Sequence, residues 1–278
     1  MKFELTVPPE AGGETLLSFL RAHLKEFPSV KAVKRAIDQK QCTINGRVEW
    51  FSTYRVRTGD KVTISLQPKK KAPPPTILFE DESLIALDKP AGRTSESFTD
   101  YLLVHRLDKD TSGVFLMAKT EAMRDQLSKL FAQRKMKKSY LALCDGKGKG
   151  EKWKVDNFLG KVGGYQGGVL FGPVSKEKGR RAVTTFTLLK KGKTASLILA
   201  EPLTGKTHQI RIHLKLSGCP VLGDWQYNRQ FTCSYHPPRQ MLHAHCLAFI
   251  HPGTEEKISL EAPIPKDFLE TQKIVITG

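Results

Sequence analysis

Apolar residues recur at helical spacing in two stretches near the start of the chain. Over 15–24, Leu16, Phe19, Leu20 and Leu24 share one face and predict an amphipathic helix. A second helix is predicted after Ser29, with Val30, Val33 and Ile37 on one face and Lys31, Lys34, Arg35 and Lys40 around it. The pattern then changes to short extended segments. Cys42-Thr43-Ile44, Asn45-Gly46 and Arg47-Val48 predict strand, turn and strand, because Asn-Gly accepts the positive φ that a two-residue hairpin turn requires. Residues 56–64 add a turn at Gly59-Asp60 and another strand.

A basic, proline-rich stretch follows, Lys69-Lys70-Lys71-Ala72-Pro73-Pro74-Pro75. Proline fixes φ and removes a backbone donor, so neither helix nor central strand continues through it. The stretch predicts a linker over 69–75 between a small domain at 1–68 and a larger one at 76–278. Beyond it, apolar runs predict strands at 76–79, 84–87, 113–118, 140–144, 182–189 and 195–201. Helical spacing of Met123, Leu127 and Leu130 predicts a helix over 121–131, and a second is predicted over 209–216, ended by Gly218. Residues 145–172, rich in Gly and Lys, predict exposed hairpins and loops. Strand and helix do not alternate regularly. The expected class is therefore α+β, with a mixed, mainly antiparallel sheet flanked by helices, plus a small N-terminal αβ domain.

Composition narrows the partners more than the fold. The 278 residues are 39% hydrophobic and 26% charged, which is ordinary for a globular protein. No run of about 18 apolar residues suggests a membrane span, and the first ten residues lack the apolar core of a secretory signal. A cytoplasmic protein is expected. Its five cysteines form no C-x-x-C pair, which suits reduced thiols better than disulfides or a thiolate zinc cluster. The net charge of +17 predicts attraction to polyanions. The excess is spread out: residues 1–75 carry 14 bases against 7 acids, and the remainder 31 against 21.

Four segments concentrate chemistry: His105 to Gly113, Lys138 to Leu143, Leu203 to Leu214 and Leu242 to Pro252. Each has an ordinary explanation when taken alone. Asp108 in a polar loop before a strand suits a turn residue, Tyr140 a half-buried core position, Arg211 a structural ion pair, and His243-x-His245 a surface pair. Together, and in order, they are more specific. Lys89-Pro90-Ala91-Gly92, His105-Arg106-Leu107-Asp108 with Thr111-Ser112-Gly113, Lys138-x-Tyr140, Thr207-His208-Gln209-Ile210-Arg211 and Leu242-His243-Ala244 are joined by Pro220-Val221-Leu222-Gly223-Asp224-x-x-Tyr227. This set resembles the RluA-type pseudouridine synthases over nearly all of 76–278. Lys206 stands where that pattern usually has Arg, keeping the charge. Residues 14–66 resemble the alpha-L RNA-binding domain, a module of ribosomal protein S-four, through the basic helix, Cys42 to Gly46 and Gly59-Asp60-Lys61-Val62.

The resemblance implies an isomerase that detaches uracil from ribose, turns it and rejoins it through carbon 5. Nothing is oxidised and no phosphate moves, so it implies no cofactor and no metal. Asp108 is the implied nucleophile. Arg211 is its expected counter-charge, since a guanidinium favours the ionised carboxylate in a site shielded from water. Tyr140 is expected to stack on the target base, Ile210 to add apolar contact, and Arg106 to occupy the gap left by the flipped nucleotide. RNA or base contacts are further expected at His208 and Gln209, and on the basic helix at Lys34 and Arg35. The expected partner is RNA, with large-subunit ribosomal RNA favoured over transfer RNA, and the expected state is a monomer with no membrane partner.

One departure from the family pattern stands out. Only twelve residues, 93–104, separate Gly92 from His105, a stretch usually longer in the family. The shortening spares the motifs and bears on RNA contacts at that edge. Competing readings are a non-catalytic RNA-binding protein that keeps the fold, a synthase acting on transfer RNA, and a zinc hydrolase built on the histidines. The zinc reading lacks an acidic motif beside His208, His213 or His243-x-His245.

Overall fold

A computed structural model describes residues 2–24, 30–38, 41–65, 74–165, 168–228 and 230–277. Ser29, Lys40 and most of the 69–75 linker expected from sequence lie outside the described residues. The chain divides into two compact units, Met1–Lys71 and Ala72–Gly278.

The first unit contains β1 (Lys2–Thr6), α1 (Leu16–His23), α2 (Val30–Asp38), β2 (Cys42–Ile44), β3 (Arg47–Val48) and β4 (Lys61–Ser65). Its sheet runs in the order β1-β4-β2-β3. The Thr15 hydroxyl accepts from the Ser18 amide and caps α1. Leu16, Phe19 and Leu20 of α1 and Val33 and Ile37 of α2 are buried in one core with Ile44, Val62 and Ile64. The two turn motifs are one device. Asn45 (φ 50°) and Gly46 (φ 79°) turn the hairpin, the Asn45 amide donates to Asp60 at 2.9 Å, and its carbonyl accepts from the Lys61 amide at 2.9 Å. β1, outside the elements expected from sequence, pairs with β4 along five residues.

The second unit is built on one large sheet. Its strands are β5 (Thr76–Glu80), β6 (Leu84–Lys89), β7 (Leu102–Leu103), β8 (Ser112–Ala118), β9 (Lys137–Asp145), β10 (Lys152–Tyr165), β11 (Gly168–Pro173), β12 (Arg180–Lys191), β13 (Ala195–Pro202), β14 (Leu242–Ile250) and β15 (Lys257–Glu261). The order is β11-β10-β12-β13-β9-β14-β8-β6-β5, with β15 on β14 and β7 on β8. Among the described residues β8 and β14 form the parallel pair, and the other ladders are antiparallel. The helices are α3 (Glu121–Ala132), α4 (Gln209–Leu216) and α5 (Lys266–Gln272), followed by a π turn over Lys273–Thr277. This is the expected mixed, mainly antiparallel α+β class. No helix among the described residues is long and apolar enough to cross a membrane.

Over 145–172, where hairpins and loops are expected, β10 pairs antiparallel with β11, and the 14-residue β10 also pairs with β12 over eight consecutive residues, an extent the pattern did not reveal. Its Lys152, Lys154 and Asp156 face water while Trp153 and Val155 pack on the core. That alternation with a period of two holds over 152–156, between the glycines that precede β10 and those in its second half.

The strand carrying the chemistry depends on one close approach. β8 is buried along its whole length, and Gly113 (φ 112°) pairs with Ala244 across the parallel ladder. A Cβ at Gly113 would collide with the Ala244 backbone. Gly113→Ala therefore combines overpacking with a disfavoured φ and is expected to cost on the order of 3 kcal/mol. Urea unfolding monitored by tryptophan fluorescence would show it as a lowered midpoint.

Candidate active site

The segment between β7 and β8 has no regular structure, so its shape is set by outside anchors. His105 is the first. Its Nε2 accepts from the Leu116 amide at 3.0 Å, and its ring lies between Phe131 (centroids 4.9 Å apart) and Phe115 (5.2 Å). Burial pushes the His105 pKa down to about 3, so the ring is a neutral acceptor. The buried Ser95 hydroxyl clamps Leu107 twice, accepting from its amide at 2.9 Å and donating to its carbonyl at 3.0 Å. Lys89, fully buried, donates to the carbonyls of Pro90, Arg93 and Lys109 at 2.8 to 3.2 Å. Burial pushes its pKa down to about 8. Behind the loop, Arg239 donates to the Asp110 carbonyl at 3.1 Å. The short 93–104 segment thus supplies part of the scaffold that holds the loop, through Ser95 and the Arg93 carbonyl.

These anchors present Asp108 to Arg211, which is 5% exposed on α4. Arg211 Nη1 donates to Asp108 Oδ2 at 2.9 Å. Its Nε and Nη2 form a two-pronged pair with Asp224 Oδ2 and Oδ1, both at 2.7 Å, and Nη2 also reaches Gln226 Oε1 at 2.8 Å. Burial by itself would lower the guanidinium pKa, but Asp224 and then Asp108 outweigh it and raise the pKa further. The other Asp108 oxygen, Oδ1, faces His208 Nε2 at 3.8 Å, beyond hydrogen-bond reach.

The remaining expected residues separate into two groups. Tyr140 on β9 lines the same cleft, and burial, followed by the charge of Asp108, pushes its phenol pKa up, so it stays protonated. Ile210 is buried against Phe186 and Ile198 and lines the cleft. Arg106 stands at the cleft's edge, largely exposed, and pairs with Glu96 at 3.1 Å. Gln209 differs from expectation. Its Oε1 accepts from the Thr204 hydroxyl (2.7 Å) and the Lys206 amide (3.0 Å), while its Nε2 donates to the Val183 carbonyl (3.0 Å) and Thr184 hydroxyl (2.9 Å). With its amide saturated, Gln209 pins α4 to the sheet instead of offering itself to a base. Lys34 and Arg35 lie on α2 of the first unit, half-buried.

The cleft encloses about 810 Å³. Seven Lys and Arg residues line it against a single carboxylate, Asp108. Lys138 lies two residues before Tyr140, and burial, followed by the charge of Lys206, pushes its pKa down to about 8. Such a surface suits a polyanion with an uncharged group inserted at its centre. Among the described residues, one set of metal-type donors converges within 4.8 Å, His245, Cys246 and Glu261, and none of these lines the cleft. His208 and His213 are each taken by protein partners, Tyr227 for the first and Thr184 and Asn157 for the second.

Sequence reasoning did not single out Asp224, Tyr227, Lys89 or Ser95. Lys89, Asp224 and Tyr227 were visible only as letters in motifs, since nothing local marks, for instance, a carboxylate 13 residues beyond Arg211 as its partner.

The family model described as RNA pseudouridylate synthase matches residues 83–216. The ribosomal large subunit pseudouridine synthase C of Vibrio cholerae serotype O1 is 30% identical, over 94% of this chain and 92% of that protein. The protein of the same description from Escherichia coli strain K12 is 31% identical, over 94% and 92%. Among solved structures, human RNA pseudouridylate synthase domain containing 4 superposes with a TM-score of 0.60 at 24% identity, over 70% of this chain and 91% of that one. This last likeness concerns the fold.

The two carboxylates on Arg211 are expected to differ in structural weight. Asp224→Asn leaves a buried guanidinium short of its two-pronged partner and is expected to cost on the order of 3 kcal/mol. Asp108→Asn keeps the Asp224 pair and is expected to cost less than about 1 kcal/mol. Parallel denaturant titrations of the two variants would resolve the difference.

Proposed function

Because the chain belongs to the RluA-type family of RNA pseudouridine synthases, we propose that its cleft isomerises uridines of large-subunit ribosomal RNA, with Asp108 as nucleophile. One observation carries the assignment of roles: the buried Arg211 holds the cleft's one carboxylate by a single oxygen at 2.9 Å. The guanidinium fixes the orientation of Asp108, while Oδ1 faces His208 Nε2 at 3.8 Å, beyond hydrogen-bond reach. The choice of ribosomal RNA is supported by the descriptions of the bacterial relatives and by the basic surface of the cleft.

In the reaction the C1′–N1 bond breaks and a C1′–C5 bond forms. One proton leaves C5, and one ends on N1. Reaching Asp108 requires the uridine to leave its stack, at a cost of a few kcal/mol. Tyr140, kept as a neutral phenol, offers a ring for the displaced uracil to stack on, and Ile210 offers an apolar contact. Arg106 has its guanidinium at the edge of the cleft, where it takes the place the base vacated, exchanging Glu96 for RNA. The metal-type donors lie outside this arrangement, and none of these steps calls for a cofactor. Residues 1–68 serve as an RNA-binding module, with Lys34 and Arg35 as phosphate contacts.

Two measurements test this reading. Carbodiimide-dependent reverse-transcription stops in ribosomal RNA are expected to disappear from a strain lacking the protein and to return with wild type but not with Asp108→Asn. The purified variant should bind RNA nearly as tightly as wild type. Stops lost only from transfer RNA would reassign the substrate, and full turnover by the variant would remove Asp108 as nucleophile. Replacing Lys34 and Arg35 together by alanine is expected to flatten the slope of log affinity against log salt by about 1.5; an unchanged slope would remove both as phosphate contacts.

A further inference from the structure

His208 is held in a costly conformation for a side-chain contact that helix capping does not explain. It occupies the N-cap position of α4 with φ 56° and ψ 18°, and its side chain makes no cap hydrogen bond. A left-handed backbone at a residue other than glycine costs on the order of 1 kcal/mol and needs surrounding structure to enforce it. Here the ring is enforced. Its Nδ1 lies 2.7 Å from the Tyr227 hydroxyl, and Phe171 of β11 packs edge-on against it with centroids 6.0 Å apart.

The hydrogen-bond directions point to which nitrogen carries the proton. The Phe171 backbone amide can only donate, and it donates to the Tyr227 oxygen at 3.3 Å. Burial pushes the Tyr227 pKa up to about 12, so the hydroxyl keeps its proton. Among the described residues, that proton's hydrogen-bonding neighbour is His208 Nδ1. If Nδ1 also carried hydrogen, the hydroxyl proton would be left without an acceptor among the described residues, at a buried tyrosine. Nδ1 is therefore the acceptor, and in the neutral ring the hydrogen sits on Nε2. Burial, and then the charge of Arg211, lower the His208 pKa and favour that neutral ring. Nε2–H faces Asp108 Oδ1 across 3.8 Å.

Resting on the reading of the cleft as a synthase site, we infer that His208 is a catalytic residue whose Nε2–H donates a hydrogen bond to a uracil carbonyl oxygen as the base separates from ribose. Breaking C1′–N1 with the electron pair staying on the base puts negative charge on N1 and on the neighbouring oxygens. A fixed neutral donor beside the nucleophile meets that charge without reorganising. Uracil geometry adds a second reason for one donor to suffice. Rotation about the N3–C6 axis exchanges N1 with C5 and also O2 with O4. A donor that holds O2 before the turn therefore finds O4 in the same place when C5 faces ribose. Tyr227 is the positioning residue, acting through His208 by fixing its tautomer.

The test compares His208→Gln, His208→Asn and Tyr227→Phe with wild type in single-turnover pseudouridine formation, alongside RNA affinity. Glutamine places its amide donor near the ring Nε2 position, and asparagine places it near Nδ1. The asparagine variant is expected to lose about 10²-fold in rate. The glutamine variant should stay within about tenfold of wild type, with RNA Kd unchanged in both. Nitrogen-15 NMR of the imidazole is expected to show the Nε2–H tautomer in wild type and a mixture in Tyr227→Phe, whatever the folding of the other variants. Equal rates for glutamine and asparagine, or an Nδ1–H tautomer in wild type, would overturn the inference. A wild type that forms no pseudouridine would instead overturn the functional reading beneath it, leaving the tautomer result to stand on its own.

Discussion

A guanidinium buried between two carboxylates is the interaction around which the second unit is organised. Taking Arg211 out of water costs several kcal/mol, and that cost is offset only if each of its N–H groups meets an acceptor in good geometry. Asp224 meets two of them along the plane of the fork, Gln226 takes the second hydrogen of Nη2, and Asp108 takes one on Nη1. Three segments distant in sequence must therefore converge to within hydrogen-bond tolerance: the loop before β8, the first turns of α4 and the residues around 224. The division is unequal in a useful way. Asp224 is engaged through both oxygens by the arginine, while Asp108 turns one oxygen to His208 at 3.8 Å.

Holding a carboxylate on an irregular loop at that position requires anchors on every side. They come from chemically different groups with a common logic, each satisfying backbone polar atoms that the loop cannot pair by itself. His105 takes a backbone amide from the strand that the loop feeds, Ser95 takes both polar groups of Leu107, and Lys89 gathers three carbonyls. Beneath them the parallel crossing of β8 and β14 brings backbones so close at Gly113 that no side chain fits. The segment from Gly92 to His105 is short, yet it contributes two of these anchors.

The electrostatics of the cleft follow a simple division. Cations line its wall, one carboxylate sits among them paired with Arg211, and two further titratable groups of the cleft are held neutral by burial: Tyr140 by a raised pKa, His105 by a lowered one. Neutral, oriented dipoles beside one localised charge suit a reaction that shifts charge within a base and returns it. Fixed groups of that kind need little rearrangement as the charge moves.

The sequence by itself determined what local chemistry encodes. Helical and alternating periodicities placed most helices and strands, Asn45-Gly46 marked its turn, and the ordered motifs marked Asp108, Tyr140 and Arg211 as one constellation. Tertiary structure alone decided what depends on partners distant in the chain. The hairpin composition of 145–172 did not show how far β10 extends, which is set by its ladder with β12. Gln209 reads as an exposed polar contact until Thr204, Thr184 and Val183 close around it. Lys89 reads as a surface cation until three carbonyls bury it. Asp224 and the tautomer of His208 are set by side chains and a backbone amide that meet only when α4, β11 and the 224 loop pack together. A residue's type and spacing report what it is able to do; its charge, its proton and its free lone pairs are settled by whichever groups the fold brings within 3 Å.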